Sequence, residues 1–184
     1  MSSHAHYSKA TLGGHPIHAM IIGLPIALYT TGIVALIVYA VRHDPFWYRA
    51  SMTLVLAGVA TALLAAVFGA IDLFFGIPRA TRPRKTGVKH FGLQLLATIL
   101  FAGAGFMMLG DWVGTPPAPA HLRVAAPLVI GLAGFVAMSV GAWLGWKMVQ
   151  VEHVGVDITK VEAERANAAH PRASVERQHA SPNR

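Results

Sequence analysis

Apolar residues fill four long stretches of the chain, 19–41, 50–77, 91–110 and 124–149, and charge enters them only at Asp72 and Lys147. At a helical rise of about 1.5 Å per residue, each stretch can cross a hydrocarbon core of about 30 Å. The polar segments between them are brief: "RHDPFWYR" at 42–49, "GIPRATRPRKTGVKH" around the second link, and the proline-rich "GDWVGTPPAPAHLR". Links this short make consecutive helices antiparallel neighbours. The pattern predicts an all-α integral membrane protein, a four-transmembrane-helix antiparallel bundle over residues 14–157. A polar segment precedes it at 1–13, and a cytoplasmic, largely disordered tail follows at 158–184, with a short helix up to about Ala168. The first apolar run is too long for the core of a signal peptide and lacks a small-residue cleavage site, so it is expected to stay in the mature protein.

Helix ends can be read from the same pattern. Pro16 suits the first turn of helix one, where its missing N–H costs nothing, with Gly14 or His15 as the cap. Pro25 should free a carbonyl two turns in and bend the helix. Phe46, Trp47, Tyr48 and Trp112 fall where aromatic side chains meet the membrane interface. Glycines within the spans, among them Gly103, Gly105 and the Gly141/Gly145 pair, predict close helix packing.

Composition supports this class and removes others. Apolar residues make up 54% of the chain and charged ones 12%, too apolar a balance for an ordinary soluble domain. With no cysteine there is no disulfide, iron–sulfur ligation or thiolate metal site, so a metal must be held by nitrogen or oxygen. The net charge of +7 is carried by loops and tail without a nucleic-acid-binding pattern, and nucleic acid is not an expected partner. Arg79, Arg82, Arg84, Lys85 and Lys89 concentrate in the second link, whereas the outer links hold Arg42 and Arg49, and Arg123. That bias predicts a multi-pass protein of the bacterial inner membrane with both termini cytoplasmic.

The candidate chemistry lies at that cytoplasmic end. His15 and His18, three residues apart at the entry to helix one, should share a helix face. Asp72 lies about one turn inside the end of helix two, His90 opens helix three and His153 follows helix four. An aspartate within a span costs about 2.5–3.5 kcal/mol on insertion scales, so Asp72 should face the bundle and have a partner.

The His15-Pro16-Ile17-His18 start with Gly23-Leu24-Pro25-Ile26-Ala27, the Gly69-Ala70-Ile71-Asp72 end of helix two, His90, and "GAWLGWKMVQVEHVGVD" resemble the uncharacterised bacterial membrane family called domain of unknown function 2231. The resemblance covers residues 13–157. It implies a four-helix membrane domain with a shared histidine and aspartate site, and relatives joined to Rieske-type or cytochrome c modules hint at electron transfer. The chain departs from the family pattern at Ala19, where a proline commonly follows the second histidine, and at Gln94, where an asparagine is common.

Four functions stand open at this level. His15, His18, Asp72, His90 and His153 can hold a transition-metal ion, zinc or iron, in a site with a redox link to partner proteins or a larger membrane complex. Alternatively, two of His18, His90 and His153 serve as axial ligands of a b-type haem, with Gly69, Gly92 and Gly145 admitting the macrocycle and Arg79 or Arg82 meeting the propionates. A proton relay is weakened by the lack of a polar track to the outer face. The fourth is a structural or accessory subunit, and a homo-oligomer is compatible with the glycine-rich faces. No nucleophile beside a histidine–carboxylate pair and no phosphate loop is present, so nothing points to hydrolytic chemistry.

Overall fold

The computed structural model describes residues 8–13, 15–114, 122–155, 165 and 168. Its element order is a two-residue hairpin, β1 (Thr11–Leu12) with β2 (His15–Pro16), then α1 (Ile17–Ile21), α2 (Gly23–Arg42), α3 (Pro45–Ile71), a π-helical turn (Asp72–Gly76), α4 (Arg82–Gly114) and α5 (Ala125–Gln150). Four helical segments are long and apolar enough to cross a membrane: Ile17–Arg42, Pro45–Gly76, Arg82–Gly114 and Ala125–Gln150. The protein is an all-α, four-helix membrane protein. The expected short helix up to residue 168 and the tail fall almost wholly outside the described residues.

Helix boundaries follow local chemistry. The α2–α3 link is a single sharp reversal: His43 adopts the left-handed conformation (φ 56°) and its N–H bonds the carbonyl of Tyr39, after which Asp44 caps α3 by accepting from the Phe46 N–H at 2.9 Å. Pro45 occupies the first turn of α3, where proline is tolerated. Helix one is broken at Ile22, between α1 and α2. Pro25 cannot donate to the carbonyl four residues back, that of Ile21, so the interruption falls where the missing bond belongs.

Two boundaries correct the sequence reading. The first helix starts at Ile17, one turn's fraction later than expected, with Pro16 as its cap, because His15 and Pro16 are drawn into the hairpin with Thr11 and Leu12. α4 starts at Arg82 and not at His90, since "RPRKTGVK" continues as helix with Pro83 in the first turn. The cationic link is correspondingly shorter. Arg84 stabilises this corner by donating to the carbonyls of Leu73 and Ile77, closing acceptors that the π turn leaves open.

Packing is organised as two helical hairpins. α2 pairs with α3 and α4 with α5, while α3 packs on α4 more extensively than α2 does on α5. The buried positions of the two hairpins are in register. Adding 72 to Pro25, Tyr29, Gly32, Ile33 and Leu36 of α2 gives Ala97, Phe101, Ala104, Gly105 and Met108, all buried in α4. Adding 76 to Ser51, Val55, Gly58 and Ala65 of α3 gives Pro127, Gly131, Gly134 and Gly141, all buried in α5.

Contacts between the hairpins are reciprocal in the same register. A Cβ on Gly105 of α4 would meet Val55 of α3 at 3.2 Å, and one on Gly131 of α5 would meet Ile33 of α2 at 3.8 Å. The bundle therefore has an internal two-fold pseudo-symmetry, with the small and large members of the equivalent pairs exchanged. The outer surface is predominantly apolar, with Val34, Leu63, Val67, Ile99, Phe106, Val129 and Val136 exposed, and the exposed hydroxyls of Thr31 and Ser139 bond carbonyls of their own helices. Such a surface suits lipid, and the close approaches at glycine supply helix–helix association.

Candidate functional site

The pseudo-symmetry places two histidines in equivalent seats at one end of the bundle. His18 lies on α1 and His90 in the third turn of α4, 72 positions later. The Nδ1 atom of His18 is 2.9 Å from the carbonyl oxygen of Ala65 on α3, and Nδ1 of His90 is 2.7 Å from that of Gly141 on α5. Ala65 and Gly141 are themselves equivalent. A carbonyl accepts only, so each ring holds a proton on Nδ1 and donates it, and in the neutral ring Nε2 is then the nitrogen with the lone pair.

Each ring rests on a glycine one turn beyond the carbonyl that it bonds. A Cβ on Gly69 would stand 2.9 Å from Nδ1 of His18, and one on Gly145 would stand 3.0 Å from Cε1 of His90. Only glycine leaves room for an imidazole in these seats. The two rings meet edge to face, with centroids 6.3 Å apart and planes at 88°. Gln94, one turn further into α4, packs against Gly141 and donates to the carbonyl of Met138 at 3.4 Å.

Asp72 has a different set of contacts. It stands one turn beyond Gly69, at the start of the π turn, and its carboxylate receives Ser8 Oγ at 2.7 Å, the Lys9 N–H at 2.7 Å and the Ala10 N–H at 3.0 Å. The partner demanded by its position in the span is thus an N-terminal strap, Ser8–Gly13, and two of the donors are main-chain groups that no side-chain pattern reveals. The carbonyl of Ala10 then accepts from the Ile17 N–H at 2.9 Å, tying the strap to the start of α1.

The remaining expected residues are not gathered with the pair. His15 is exposed on β2, so it does not share a helical face with His18 as the i, i+3 spacing implied. His153 lies beyond the end of α5, exposed and in the left-handed conformation (φ 54°). Arg79 and Arg82 are exposed in and after the second link. Gly69 and Gly145, expected to admit a macrocycle, are filled by the imidazoles, whereas a Cβ on Gly92 would meet nothing within 4 Å. Among the described residues no group of three or more histidine, aspartate or glutamate side chains is arranged to hold a metal ion.

The sequence reading missed the seats themselves: the Ala65 and Gly141 carbonyls and the glycines beneath the rings. A signal for them was available in the shared offsets, 72 between the histidines and 76 between Gly69 and Gly145.

Four apolar spans folded as two hairpins define an integral membrane protein with a polar end built from histidines. Residues 14–158 match the family described as "Predicted membrane protein (DUF2231)", and the chain belongs to that family. No curated protein and no solved structure gives a match.

Proposed function

We propose that this is an integral membrane metal-binding protein that holds a transition-metal ion between Nε2 of His18 and Nε2 of His90, at the cytoplasmic end of the bundle. The observation that carries the reading is the pair of Nδ1–H···O=C bonds. A metal-ligating histidine almost always donates its other ring N–H to such an acceptor, which fixes the tautomer and raises the basicity of the ligating nitrogen. Here that arrangement occurs twice, at equivalent positions, on rings whose centroids are 6.3 Å apart.

The ring separation supports it. An imidazole bound at about 2.0–2.1 Å has its centre about 3.2 Å from the metal, so two imidazoles sharing an ion have centres up to about 6.4 Å apart. The 6.3 Å found for His18 and His90 falls within that reach. Imidazole ligands suit zinc and iron, and two protein ligands leave positions for water or a small exogenous ligand. With iron the site is redox-active, which suits a partnership with electron-transfer proteins.

A b-type haem, which takes two imidazoles as axial ligands, is the second reading. We prefer the bare ion because the glycine seats that a macrocycle needs are occupied by the imidazoles. The test is the metal content and visible spectrum of detergent-purified protein. Zinc or iron near one equivalent, lost in both His18→Ala and His90→Ala and kept in His15→Ala and His153→Ala, is the expected result. A Soret band replaces the ion with haem. Absence of both under metal and haem supply leaves the accessory-subunit reading in its place.

A further inference from the structure

The two-fold relationship fails at one informative place. Asp72, shifted by 76, corresponds to Met148, and His15, shifted by 72, corresponds to Gly87. In the second hairpin Met148 stands where the first has the carboxylate, and a Cβ on Gly87 would lie 3.1 Å from its Cε; the polar contact nearby is Thr86 Oγ1 donating to Glu152 at 2.7 Å. In the first hairpin the same corner carries a carboxylate with three donors from the N-terminal strap. The strap has no counterpart in the second hairpin, where the α3–α4 link enters directly into α4.

The strap nevertheless reaches both hairpins. Ser8, Lys9 and Ala10 are fixed at the end of α3 by Asp72, the chain turns through β1 and β2, and Cγ of Pro16 comes within 4.0 Å of a Cβ built on Gly155, in the chain leaving α5. The His18 imidazole lies one turn deeper on α3, on Gly69, and the His90 imidazole lies on Gly145 of α5, ten residues before Gly155. We infer that Ser8–Gly13 with His15–Pro16 form a cover across the mouth of the histidine pair, and that Asp72 is the latch that holds this cover shut. For the pair's role as an ion site, the inference rests on the function proposed above, where the cover controls how fast an ion enters and leaves.

The chemistry of the latch makes it a point of control. Its three hydrogen bonds converge on one carboxylate, two of them on a single oxygen, Oδ1. Hydrogen bonds to an ionised acceptor are roughly twice as strong as neutral ones, so one side chain holds most of the strap's polar anchoring. A π turn begins at Asp72, and π-helical insertions recur at functional positions.

The experiment separates the cover from the ion. The metal-free full-length protein in detergent is treated with diethyl pyrocarbonate, and modification of each histidine is followed by mass spectrometry. In the native chain His18 and His90 should react several-fold more slowly than exposed His15 and His43. Asp72→Leu removes every acceptor of the latch and should raise the His18 and His90 rates at least about five-fold, with His43 unchanged as the monitor of folding. Lys9→Pro with Ala10→Pro removes two donors without touching the bundle and should act in the same direction.

Unchanged rates at His18 and His90 in the strap variant overturn the cover, whatever Asp72→Leu does to folding. In a second arm, zinc-loaded protein is mixed with a chelator. Faster release from Asp72→Leu at equal zinc capacity extends the cover to control of the ion, and equal release rates overturn that control. If no variant binds zinc, the ion reading fails while the modification rates still decide the cover.

Discussion

Tyr29 of α2 and Phe101 of α4 stack with ring centroids 3.8 Å apart and planes inclined by 4°, and each ring also covers a glycine of its own hairpin. A Cβ on Gly58 would stand 2.7 Å from the Tyr29 ring, and one on Gly134 would stand 3.2 Å from the Phe101 ring. The two aromatics are equivalent under the 72-residue shift, so the stack lies where the hairpins meet across the pseudo-two-fold axis. It does for the middle of the bundle what the histidine pair does for its end.

Truncating either member of the stack should cost about 3–5 kcal/mol, as for other fully buried aromatics. Phe101→Ala and Tyr29→Ala are therefore expected to lower unfolding midpoints in detergent by similar amounts, and Tyr29→Phe, which keeps the ring, to retain most of the stability. The double Ala variant tests coupling. Because the rings touch, its cost should fall short of the sum of the two single costs.

The glycine seats give a prediction specific to the site. Gly69→Ala and Gly145→Ala each place a methyl group against an imidazole and should displace it from its carbonyl partner. In the proposed ion-site reading, metal affinity should then fall by about 10- to 100-fold, the range seen when an outer partner of a ligand is lost. Gly92→Ala is the matched control, since its new Cβ meets nothing, and metal affinity should be unchanged. Equal affinities in all three variants would show that the seats do not position the ligands.

Arg84 should prove unlike its neighbours in the second link. Its guanidinium donates to the carbonyls of Leu73 and Ile77 and lies 4.9 Å over the Phe74 ring, while Arg79 and Arg82 are exposed. Hydrogen bonds made by a charged donor contribute about 1.5–3 kcal/mol. Arg84→Ala should lower stability by that order, with Arg84→Lys restoring only part because an ammonium lacks the planar fork. Arg79→Ala and Arg82→Ala should change detergent stability little.

Orientation can be read with reporter fusions. The excess of Lys and Arg in the second link over the outer links predicts that a cytoplasmic reporter joined after Thr86 is active and that a periplasmic one joined after Pro117 is active. The reverse pattern would place the histidine pair on the opposite side of the membrane.

The fold was legible because its determinants are long: four uncharged runs with brief polar links leave few arrangements other than an antiparallel bundle. Ends were harder to read. "RPRKTGVK" looks like a cationic loop, yet it is the first two turns of α4, since charge at a membrane interface does not oppose helix. His15 looks helical by its spacing from His18, yet it pairs with Leu12 in the β hairpin, a contact decided by the chain before it. Of the site, His18 and His90 were visible as residue types at the right end of the right helices. Asp72 was visible as a group needing a partner. Two of its three partners, the main-chain N–H groups of Lys9 and Ala10, have no side-chain signature, and neither do the carbonyls that hold the two imidazoles.

The bundle has the geometry of a symmetric pair of hairpins joined into one chain, and the joining has a consequence for what each half can become. In a true two-fold dimer every feature of one subunit recurs in the other. A carboxylate at the Asp72 corner would then appear twice, and two N-terminal straps would compete for a single opening. The single chain is released from that constraint: one hairpin keeps Met148 at the corner and the other carries Asp72. Likewise Ile33 can face Gly131 while Gly105 faces Val55, a large-for-small exchange that identical subunits cannot make. The covalent link thus allows a two-fold frame to carry different groups at its two corners.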